Sequence, residues 1–534
     1  MALPSPLAGA PNWLRRSEPL LWLVIYLVTN LFSFGRYSIA PFSWLAIVVA
    51  LLYLRLYPTW KGFLSLWLIG IAVTLVTLRG LIPMPSPIFE IFVLTANALG
   101  LLPYLVDRLL VRRIGGFVAT LLFPAAALTY AFLDSFSSAW GTWGSPVYTM
   151  MENPLLVQSL SLFGLWGLYF LMHWTASVAA WVWEERLRGA PVRMGVAIYT
   201  LVWFGLVVSG GLQLLLDQPT RQTVRVAMVA SSSLYQTEGT SMEVLSKVMT
   251  QQAGDAERTE FAAAMTGQHD AMLAQSRVEA AAGAKMIFWP EGAAMVLAED
   301  EPALLAKAQQ MAQETGVYLG IGMGVLQREG KGENKFVVVD PSGAVVVDYL
   351  KSFLVQGAED GFFVAGDGVM PVIDTPYGRL AVAICHDMDH YQFIAQAGKL
   401  DVDLLVIPTG DWPSIERIHL DMAVARAIEQ GVTIIRPTRG GMTASIDPQG
   451  RITSALSTAD AELDGTPIAG AATGLMAVVA NVSVQGMPTL YGQTGDWFGW
   501  LVVALFLVLT IVGIVRFVGE RLAGRRGRGE LVSG

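Results

Sequence analysis

The sequence predicts a polytopic α-helical membrane domain of about eight spans joined to an α/β layered domain. The chain is 54% hydrophobic and 15% charged, with a mean hydropathy of +0.51, which is too apolar for a soluble protein of this size. Long apolar segments lie at both ends, and residues 221–493 alternate between strand-like and helix-like patterns. A single cysteine permits no intrachain disulfide, so packing must hold the fold together.

Seven apolar segments precede residue 220 and one follows residue 495. Each approaches the roughly 20 residues needed to cross a hydrocarbon core of about 30 Å. We expect no cleaved signal peptide, because the first apolar run reaches about Phe34 without a small-residue cleavage site and further spans follow. The predicted spans are 20–36, 41–57, 62–82, 88–107, 116–134, 160–183, 194–215 and 497–517.

Basic residues fall on every second side of these spans, and Lys and Arg concentrate on the cytoplasmic side of membrane proteins. Both termini are therefore predicted to be cytoplasmic and the segment between the seventh and eighth spans extracytoplasmic. The net charge of −8 and the absence of a long basic stripe argue against a nucleic acid partner. The basic residues are Arg15, Arg16, Arg55, Lys61, Arg108, Arg112, Arg113, Arg186, Arg188, Arg193, Arg521, Arg525, Arg526 and Arg528.

Three domains follow from this pattern: a membrane domain with seven spans (1–219), an extracytoplasmic domain (220–495), and the eighth span with a basic cytoplasmic tail (496–534). Apolar strands covered by helices imply an α/β layered fold for the middle domain. Its predicted strands are 224–229, 285–289, 317–325, 335–339, 344–349, 379–384, 402–407, 433–437, 442–446 and 475–482. Its predicted helices are 256–283, 302–315, 393–399 and 418–430.

Three of these strands end at side chains that carry chemistry. One strand runs through Trp289-Pro290 into Glu291, a second leads to Lys351, and a third ends at Cys385. Strand ends are where α/β folds build sites, so we expect the three to converge at one edge of a sheet. A carboxylate can take the thiol proton, the thiolate can attack a carbonyl, and the ammonium can stabilise the oxyanion.

Each of these residues has a structural alternative. A free cysteine is more often a small buried hydrophobe than a nucleophile. Taken alone, a residue such as Glu291 is more often a solvated turn residue than a catalyst, and one such as Lys351 is more often an exposed charge at a strand end. The combination of all three at successive strand ends favours a catalytic site.

Two histidines, His386 and His390, have the i, i+4 spacing of a metal-binding pair and lie beside Asp387 and Asp389. We expect no metal, because such ligands would occupy the pocket of the adjacent nucleophile and no third ligand stands at a recognisable spacing. His419 is expected to face the core side of its own helix.

The order and separations of Trp289-Pro290-Glu291, Lys351 and Cys385 resemble the Glu-Lys-Cys triad of the nitrilase superfamily. The run from Asp411 to Gly431, with Arg436 and 441–447, resembles the superfamily segment after the nucleophile. Seven spans before such a domain and one after it resemble the apolipoprotein N-acyltransferase family. The flanking stretches 153–167, 489–491 and 495–497 are similar to that family as well.

This resemblance implies a nitrilase-like α-β-β-α sandwich on the extracytoplasmic side of a bacterial cytoplasmic membrane, with no cofactor. It implies an enzyme that moves an acyl chain from a phospholipid, through a cysteine thioester, to the N-terminal amine of a lipidated lipoprotein. Glu291 would be the base, Lys351 the oxyanion stabiliser and Cys385 the nucleophile. Glu359, eight residues after the lysine, matches the accessory glutamate of the family and would orient Lys351 or the incoming amine.

The chain departs from the family around the nucleophile. His386-Asp387 stands where Tyr-Glu is usual, and Thr409-Gly410-Asp411-Trp412-Pro413 stands where Asn-Asp-Ala-Trp-Phe is usual. The stretch 352–358 lacks the familiar His and Pro-Phe-Gly. We expect His386, Asp387 and Trp412 to contact substrate, so these differences concern donor or acceptor choice more than acylation.

Two other functions stay open at this point. A membrane-tethered amidase or other carbon–nitrogen hydrolase would share the thioester step, with water replacing the acceptor amine. A catalytically silent scaffold that binds lipid or lipoprotein belongs to a different class, and it would have no need of an intact set of Glu291, Lys351 and Cys385.

Overall fold

The computed structural model describes residues 11–186, 189–219, 222–231, 242–458, 462–463, 466–467 and 475–530. Arg188 and the first ten residues of the chain lie outside this range. Internal contacts divide the described residues into two units. The first falls within Met1–Ser138, Gly144–Gln213 and Asp496–Gly534, and the second within Ala139–Trp143 and Leu214–Gly495.

The first unit is helical, as its apolar composition predicts. Its long helices coincide with the predicted spans because each is a run of Leu, Val, Ile, Ala and aromatic residues with few charges. The helices are Asn12–Leu31, Ala40–Leu56, Trp60–Leu78, Ile88–Leu99, Leu102–Ile114, Leu122–Asp134, Pro154–Val157, Leu160–Phe163, Leu165–Glu185, Ala190–Leu216 and Trp497–Glu530.

Within the described residues, five helices are long and apolar enough to cross a membrane. A sixth span results if Pro154–Phe163 and Leu165–Glu185 count as one, although they meet at a bend of 119°. Ala40–Leu56 is apolar but has only 17 residues, and Asn12–Leu31 is not among the five because it carries Arg15, Arg16 and Glu18 in its first two turns. Helices therefore lie at all eight predicted positions, while the count of eight spans stays a prediction.

Arg55, one of the basic residues behind the predicted orientation, is buried in the last turn of Ala40–Leu56. Its guanidinium forms a bidentate pair with Asp107, at 2.8 and 3.0 Å, and approaches Glu184 at 3.6 Å. Arg55 therefore joins helices of the first unit as an ion pair, because a buried guanidinium needs carboxylate partners.

The second unit is built from short strands, which the alternating and apolar runs of the sequence predict. They are β1 (Thr223–Ser231), β2 (Met286–Phe288), β3 (Ala294–Leu297), β4 (Tyr318–Leu326), β5 (Gly332–Val339), β6 (Val345–Leu350), β7 (Phe363–Val364), β8 (Val372–Thr375), β9 (Gly378–Val382), β10 (Leu404–Val406), β11 (Thr409–Gly410), β12 (Thr433–Arg436), β13 (Thr438–Arg439), β14 (Met442–Ile446), β15 (Ile452–Ser457), β16 (Glu462–Leu463), β17 (Thr466–Pro467) and β18 (Leu475–Ser483).

Two mixed sheets organise these strands. The first has the order β18-β1-β2-β4-β5-β6, with β3 paired to β4 and β7 to β5. The second has the order β15-β14-β12-β10-β9-β8. In each sheet the central strands, β1-β2-β4 and β9-β10-β12, are parallel, and antiparallel strands flank them. The two sheets contact each other through β15 and β18, where Ser454 Oγ donates to the Val479 carbonyl at 2.9 Å.

Helices cover both sheets. Asp255–Ala281 and Glu301–Thr315 pack with β1 to β5 in one buried apolar cluster, and Glu416–Gln430 contacts β12 and β14. The remaining helices of the second unit are Met242–Met249, Tyr391–Lys399 and Leu490–Thr494. The arrangement fits a layered α/β domain, since each sheet buries apolar side chains against helices.

All ten predicted strands and all four predicted helices of this unit are present, with ends shifted by a few residues. The sequence did not reveal the helix Met242–Met249 or several strands. The missed strands of the two sheets are β3, β7, β8 and β15; most are short or partly exposed, so their apolar pattern is weak.

The segment Ala139–Trp143 belongs to the second unit although it is separated from the rest of that unit by about 70 residues of the first. Its Thr142 amide donates to the Asp389 carbonyl at 3.0 Å, and its Ala139 carbonyl lies 2.9 Å from His386 Nε2. Gly141 has φ +52°, and a Cβ there would lie 2.1 Å from the Asp389 carbonyl oxygen. Only glycine fits this close approach.

Candidate active site

Glu291 occupies the loop that follows β2 and is 5% exposed. Its Oε1 accepts hydrogen bonds from Lys351 Nζ and Asn334 Nδ2, both at 2.7 Å. Its Oε2 accepts from the Gly410 amide at 2.8 Å. Three donors therefore satisfy a buried carboxylate and fix its orientation.

Lys351 follows β6 and is fully buried. Its ammonium lies between two carboxylates, at 2.7 Å from Glu291 and 2.8 Å from Glu359. Asn334 on β5 supports this arrangement, because its side-chain amide donates to both glutamates and its backbone carbonyl accepts from the Lys351 backbone amide. The Val355 amide donates to the other oxygen of Glu359 at 2.8 Å.

The charges of this cluster determine its protonation. Burial alone would lower the pKa of Lys351, but Glu291 and Glu359 outweigh burial and hold that pKa well above its usual value. Burial alone would raise the pKa of Glu291, but the Lys351 ammonium and the hydrogen bond from Asn334 bring that pKa below its usual value. The site therefore holds an ammonium and an ionised Glu291 at neutral pH.

Cys385 begins a single 3₁₀ turn, Cys385–Asp389, and is the third residue after the end of β9. We call Cys385–Asp389 the nucleophile turn. Cys385 has φ +46°, a left-handed conformation uncommon for a residue with a side chain. Its amide donates to the Pro408 carbonyl at 2.9 Å, and its Sγ lies 3.9 Å from the Gly410 carbonyl oxygen. Gly410 thus contacts both the thiol and Glu291.

The thiol of Cys385 is 6% exposed. Burial raises the pKa of Cys385 well above its usual value, the charge of Glu291 raises it further, and the charge of Lys351 offsets part of this increase. The thiol is therefore protonated at rest and needs a base to become a nucleophile.

Asp387 connects the nucleophile turn to the strand end that carries the lysine. One of its oxygens accepts from the Ser352 and Phe353 amides, at 3.1 and 2.8 Å. The other accepts from the Ile384 amide at 2.9 Å and from the Tyr349 hydroxyl at 2.8 Å. One fully buried carboxylate therefore joins the residues beside the thiol to the residues beside the ammonium.

A protein-family model described as Carbon-nitrogen hydrolase matches residues 234–469, which include all of these side chains. This segment of the chain is similar to the carbon–nitrogen hydrolase family. An amidase from Nesterenkonia sp. is similar over 52% of this chain and 95% of its own, at 18% identity and a TM-score of 0.38.

Comparison with curated proteins confirms the resemblance to the apolipoprotein N-acyltransferase family. The proteins of that name from Azotobacter vinelandii and Pseudomonas aeruginosa are 30% and 29% identical over 34% and 31% of this chain, which spans 39% and 37% of their lengths. The one from Brucella melitensis is 23% identical over 71% of this chain and 70% of its own.

The second unit places the Lys351 ammonium in direct contact with Glu291 and with Glu359, and the Cys385 thiol interacts electrostatically with all three. The expected convergence at one edge of a single sheet is wrong in one respect. Glu291 and Lys351 follow strands of the first sheet, whereas Cys385 follows β9 of the second. Sequence patterns locate strands but do not say which sheet each one joins.

The expected substrate contacts of His386, Asp387 and Trp412 stay predictions. Asp387 directs both oxygens to donors within the domain, and both ring nitrogens of His386 contact acceptors within it. Trp412 is partly exposed. The side chains of His386 and Asp387 thus form hydrogen bonds to other residues of the second unit.

A buried chain of side chains beside the thiol was not anticipated from the sequence. His419 Nδ1 lies 2.6 Å from Asp411 and its Nε2 lies 3.2 Å from Asp389, which in turn lies 2.6 Å from His386 Nδ1. Arg436 donates to the other oxygen of Asp411 at 2.6 Å. The eight-residue spacing of Asp411 and His419 was the available signal, but it gives no pairing without the fold.

Among the described residues, Cys385, Asp411 and His419 form one group whose possible metal-ligand atoms lie within 4.8 Å of one another. We interpret this group as a hydrogen-bonded network. Asp411 and His419 already bind each other, and the Arg436 guanidinium on Asp411 would repel a cation placed there.

We predict that Asp387→Asn destabilises the domain by about 2 kcal/mol, because an amide NH₂ would face hydrogen-bond donors in a buried site. Thermal unfolding of the full chain in detergent measures this change. Asp374→Asn is the matched control, since the Asp374 carboxylate is 80% exposed and pairs with the surface residue Arg379, and its unfolding should match the wild type. Equal unfolding of the two variants would contradict the bridging role of Asp387.

We also predict that alkylation of Cys385 by iodoacetamide is slow at pH 7 and still accelerates above pH 9, because the pKa of this thiol is raised. Lys351→Ala should slow the reaction further at pH 8, since it removes the charge that lowers the pKa of Cys385. Cys385 is the only cysteine, so total label reports one site. A rate that levels off below pH 8 would contradict the prediction.

Proposed function

We propose that the protein transfers an acyl chain from a phospholipid, through a thioester on Cys385, to the N-terminal amine of a lipidated lipoprotein. The reaction would take place at the extracytoplasmic face of a bacterial cytoplasmic membrane. Relatives named apolipoprotein N-acyltransferase that align with about 70% of the chain support this proposal.

The observation that carries the proposal is the 2.7 Å contact between Lys351 Nζ and Glu291 Oε1, both buried, with the Cys385 thiol in electrostatic reach of each. A carboxylate, an ammonium and a thiol in one dry site are the groups that acyl transfer through a thioester requires. A binding scaffold would gain nothing from burying them together, because burying charges is costly.

Acylation starts when ionised Glu291 takes the proton of the Cys385 thiol. The thiolate attacks the ester carbonyl carbon of the phospholipid, and the Lys351 ammonium stabilises the negative oxygen that forms. The tetrahedral intermediate then expels the alkoxide of the lysophospholipid, which takes the proton from Glu291. The products are a thioester on Cys385 and a lysophospholipid.

Transfer of the acyl chain to the acceptor uses the same groups again. The neutral amine of the acceptor attacks the thioester carbonyl, Glu291 takes a proton from the attacking nitrogen, and Lys351 again stabilises the oxyanion. The intermediate expels the Cys385 thiolate, which is reprotonated by Glu291. The product is an amide, and the enzyme returns to its starting protonation.

Glu359 would serve as the positioning carboxylate of this site. It binds Lys351 at 2.8 Å and is held by the Val355 amide. With Glu291 on the other side, the ammonium is fixed from two directions, and its third proton is left for the oxyanion.

A second candidate function is hydrolysis of a carbon–nitrogen bond, which the description of the matching family model favours. The first half of the reaction would then release an amine, and water would discharge the thioester. The same residues serve both reactions, so the acceptor decides between them.

One assay separates the two functions. The full chain in membranes is incubated with acyl-labelled phospholipid, the hydroxylamine-sensitive adduct is measured, and either a diacylated lipopeptide or buffer is added. We expect the adduct to be discharged by the lipopeptide with formation of triacylated product and to persist in buffer. Equal discharge in buffer would support the hydrolase, and the lack of any adduct above that of Cys385→Ala would reject acyl transfer from the phospholipid.

We predict that Lys351→Ala slows adduct formation by at least about a hundredfold, as expected for loss of an oxyanion partner. Lys335→Ala is the matched control. Lys335 is also a buried lysine of the first sheet, paired with Glu301, Glu333 and Asp348, and its loss should leave the adduct rate of the folded fraction within about threefold of the wild type. Equal slowing in both variants would remove the special role of Lys351.

We predict that alkaline phosphatase fused within the exposed turn 328–331 is active, whereas the same enzyme fused after residue 534 is inactive. This follows from the basic residues of the short loops and of the C-terminal tail. Activity measured in intact bacteria, normalised to fusion protein, checks the orientation. Active enzyme at the C-terminus would place that end outside the cytoplasm.

A further inference from the structure

Both ring nitrogens of His419 face carboxylates. Nδ1 lies 2.6 Å from Asp411 Oδ1, and Nε2 lies 3.2 Å from Asp389 Oδ1. All three side chains are at most 3% exposed. His419 comes from the helix Glu416–Gln430, Asp411 from the loop after β11, and Asp389 from the nucleophile turn, so one ring joins three separate parts of the domain.

This geometry determines the protonation of His419. A neutral imidazole has one N–H, so one of the two carboxylates would face a lone pair, whereas an imidazolium donates to both. Arg436 Nη2 lies 3.2 Å from Nδ1, but the 2.6 Å separation from Asp411 requires a proton between nitrogen and carboxylate. His419 is therefore the charged partner of both acids.

The charged groups that face this ring are Asp411, Asp389 and the Arg436 guanidinium. Asp389 has His386 on its other side. Burial alone would lower the pKa of His419, but the two carboxylates outweigh burial and raise that pKa to about 9. The imidazolium thus persists through the neutral range.

The network reaches the reacting thiol. The Cys385 sulfur, an oxygen of Asp411 and a nitrogen of His419 all lie within 4.8 Å of one another. The same thiol also interacts electrostatically with the charges of Glu291, Lys351 and Glu359. The negative charge of Asp411 raises the pKa of Cys385, so whatever neutralises Asp411 makes the thiolate easier to form.

We propose that His419 is a positioning residue for Cys385. Its imidazolium binds both the Asp411 carboxylate beside the thiol and Asp389 at the far end of the nucleophile turn. The inference rests on the proposed role of Cys385 as the reacting thiol. With Arg436, it adds a cation on the Asp411 side of the thiol to the ammonium of Lys351.

The proposal has a direction in pH. The folded-state pKa of His419 lies above the ordinary value of 6.5, so its contribution is complete below pH 6.5 and is lost as the pH rises through about 9. Above that pH one of the two carboxylates loses its donor, and the wild type should behave like a variant without the charge.

We expect His419→Gln to slow alkylation of Cys385 by iodoacetamide by about tenfold at pH 8, because Asp411 then keeps only Arg436 as a cation. The difference should shrink to about twofold at pH 10. Asp411→Asn in the His419→Gln background should return the rate at pH 8 to within about threefold of the wild type. All measurements use the full chain in detergent.

His269→Gln is the matched control. His269 is a buried histidine of the same domain whose Nε2 has no hydrogen-bond partner among the described residues, and its loss should leave the pH profile of alkylation unchanged. A purely structural role for His419 would lower the melting temperature while leaving the ratio of variant to wild-type rates constant with pH. That constant ratio, or faster alkylation in His419→Gln, would overturn the proposal.

A measurement on the wild type covers the case in which His419→Gln does not fold. Hydrogen–deuterium exchange at histidine C2, resolved by peptide mass spectrometry, gives the titration of each of the five histidines. We expect a midpoint near pH 9 for His419, and a midpoint at or below 6.5 would overturn the proposal. Because alkylation needs no acyl donor, a missing acyl adduct would reject the proposed function and leave this inference standing.

Discussion

The buried ammonium of Lys351 is the interaction on which the rest of the site depends. An unpaired ammonium would not stay charged in such an environment, so its two carboxylate partners, Glu291 and Glu359, must lie where they do. Their remaining oxygens recruit Asn334 and the Gly410 amide. The pairing therefore fixes the segments that carry Glu291, Lys351 with Glu359, and Gly410, and it places buried charged groups beside the thiol.

The second constraint is the junction between the two sheets. The lysine comes from one sheet and the nucleophile from the other, and Asp387 holds their strand ends together through four hydrogen bonds. The left-handed conformation of Cys385 persists because the turn after it is fastened in this way. The far end of the turn is held as well, because Asp389 pairs with His419. Acylation chemistry at this site would depend on both the hydrogen bonds of Asp387 and the pairing of Asp389 with His419.

Much of this site could be predicted from the sequence. Strand patterns located the ends that carry Glu291, Lys351 and Cys385, because period-two and apolar runs are local signals. The assignment of those strands to two sheets is not local, and neither is the pairing of His419 with acids from two other segments. The role of Asp387 was missed because its donors are backbone amides, which every sequence offers equally.

The segment Ala139–Trp143 has a practical consequence for anyone who wishes to work on the domain in isolation. A recombinant fragment cut at residue 220 retains every strand yet discards the five residues that cap the nucleophile turn. His386 Nε2 and the Asp389 carbonyl would then meet bulk water. Supplying the missing pentapeptide, by a linker or by circular rearrangement of the gene, is a requirement for any soluble version that is meant to keep its native turn.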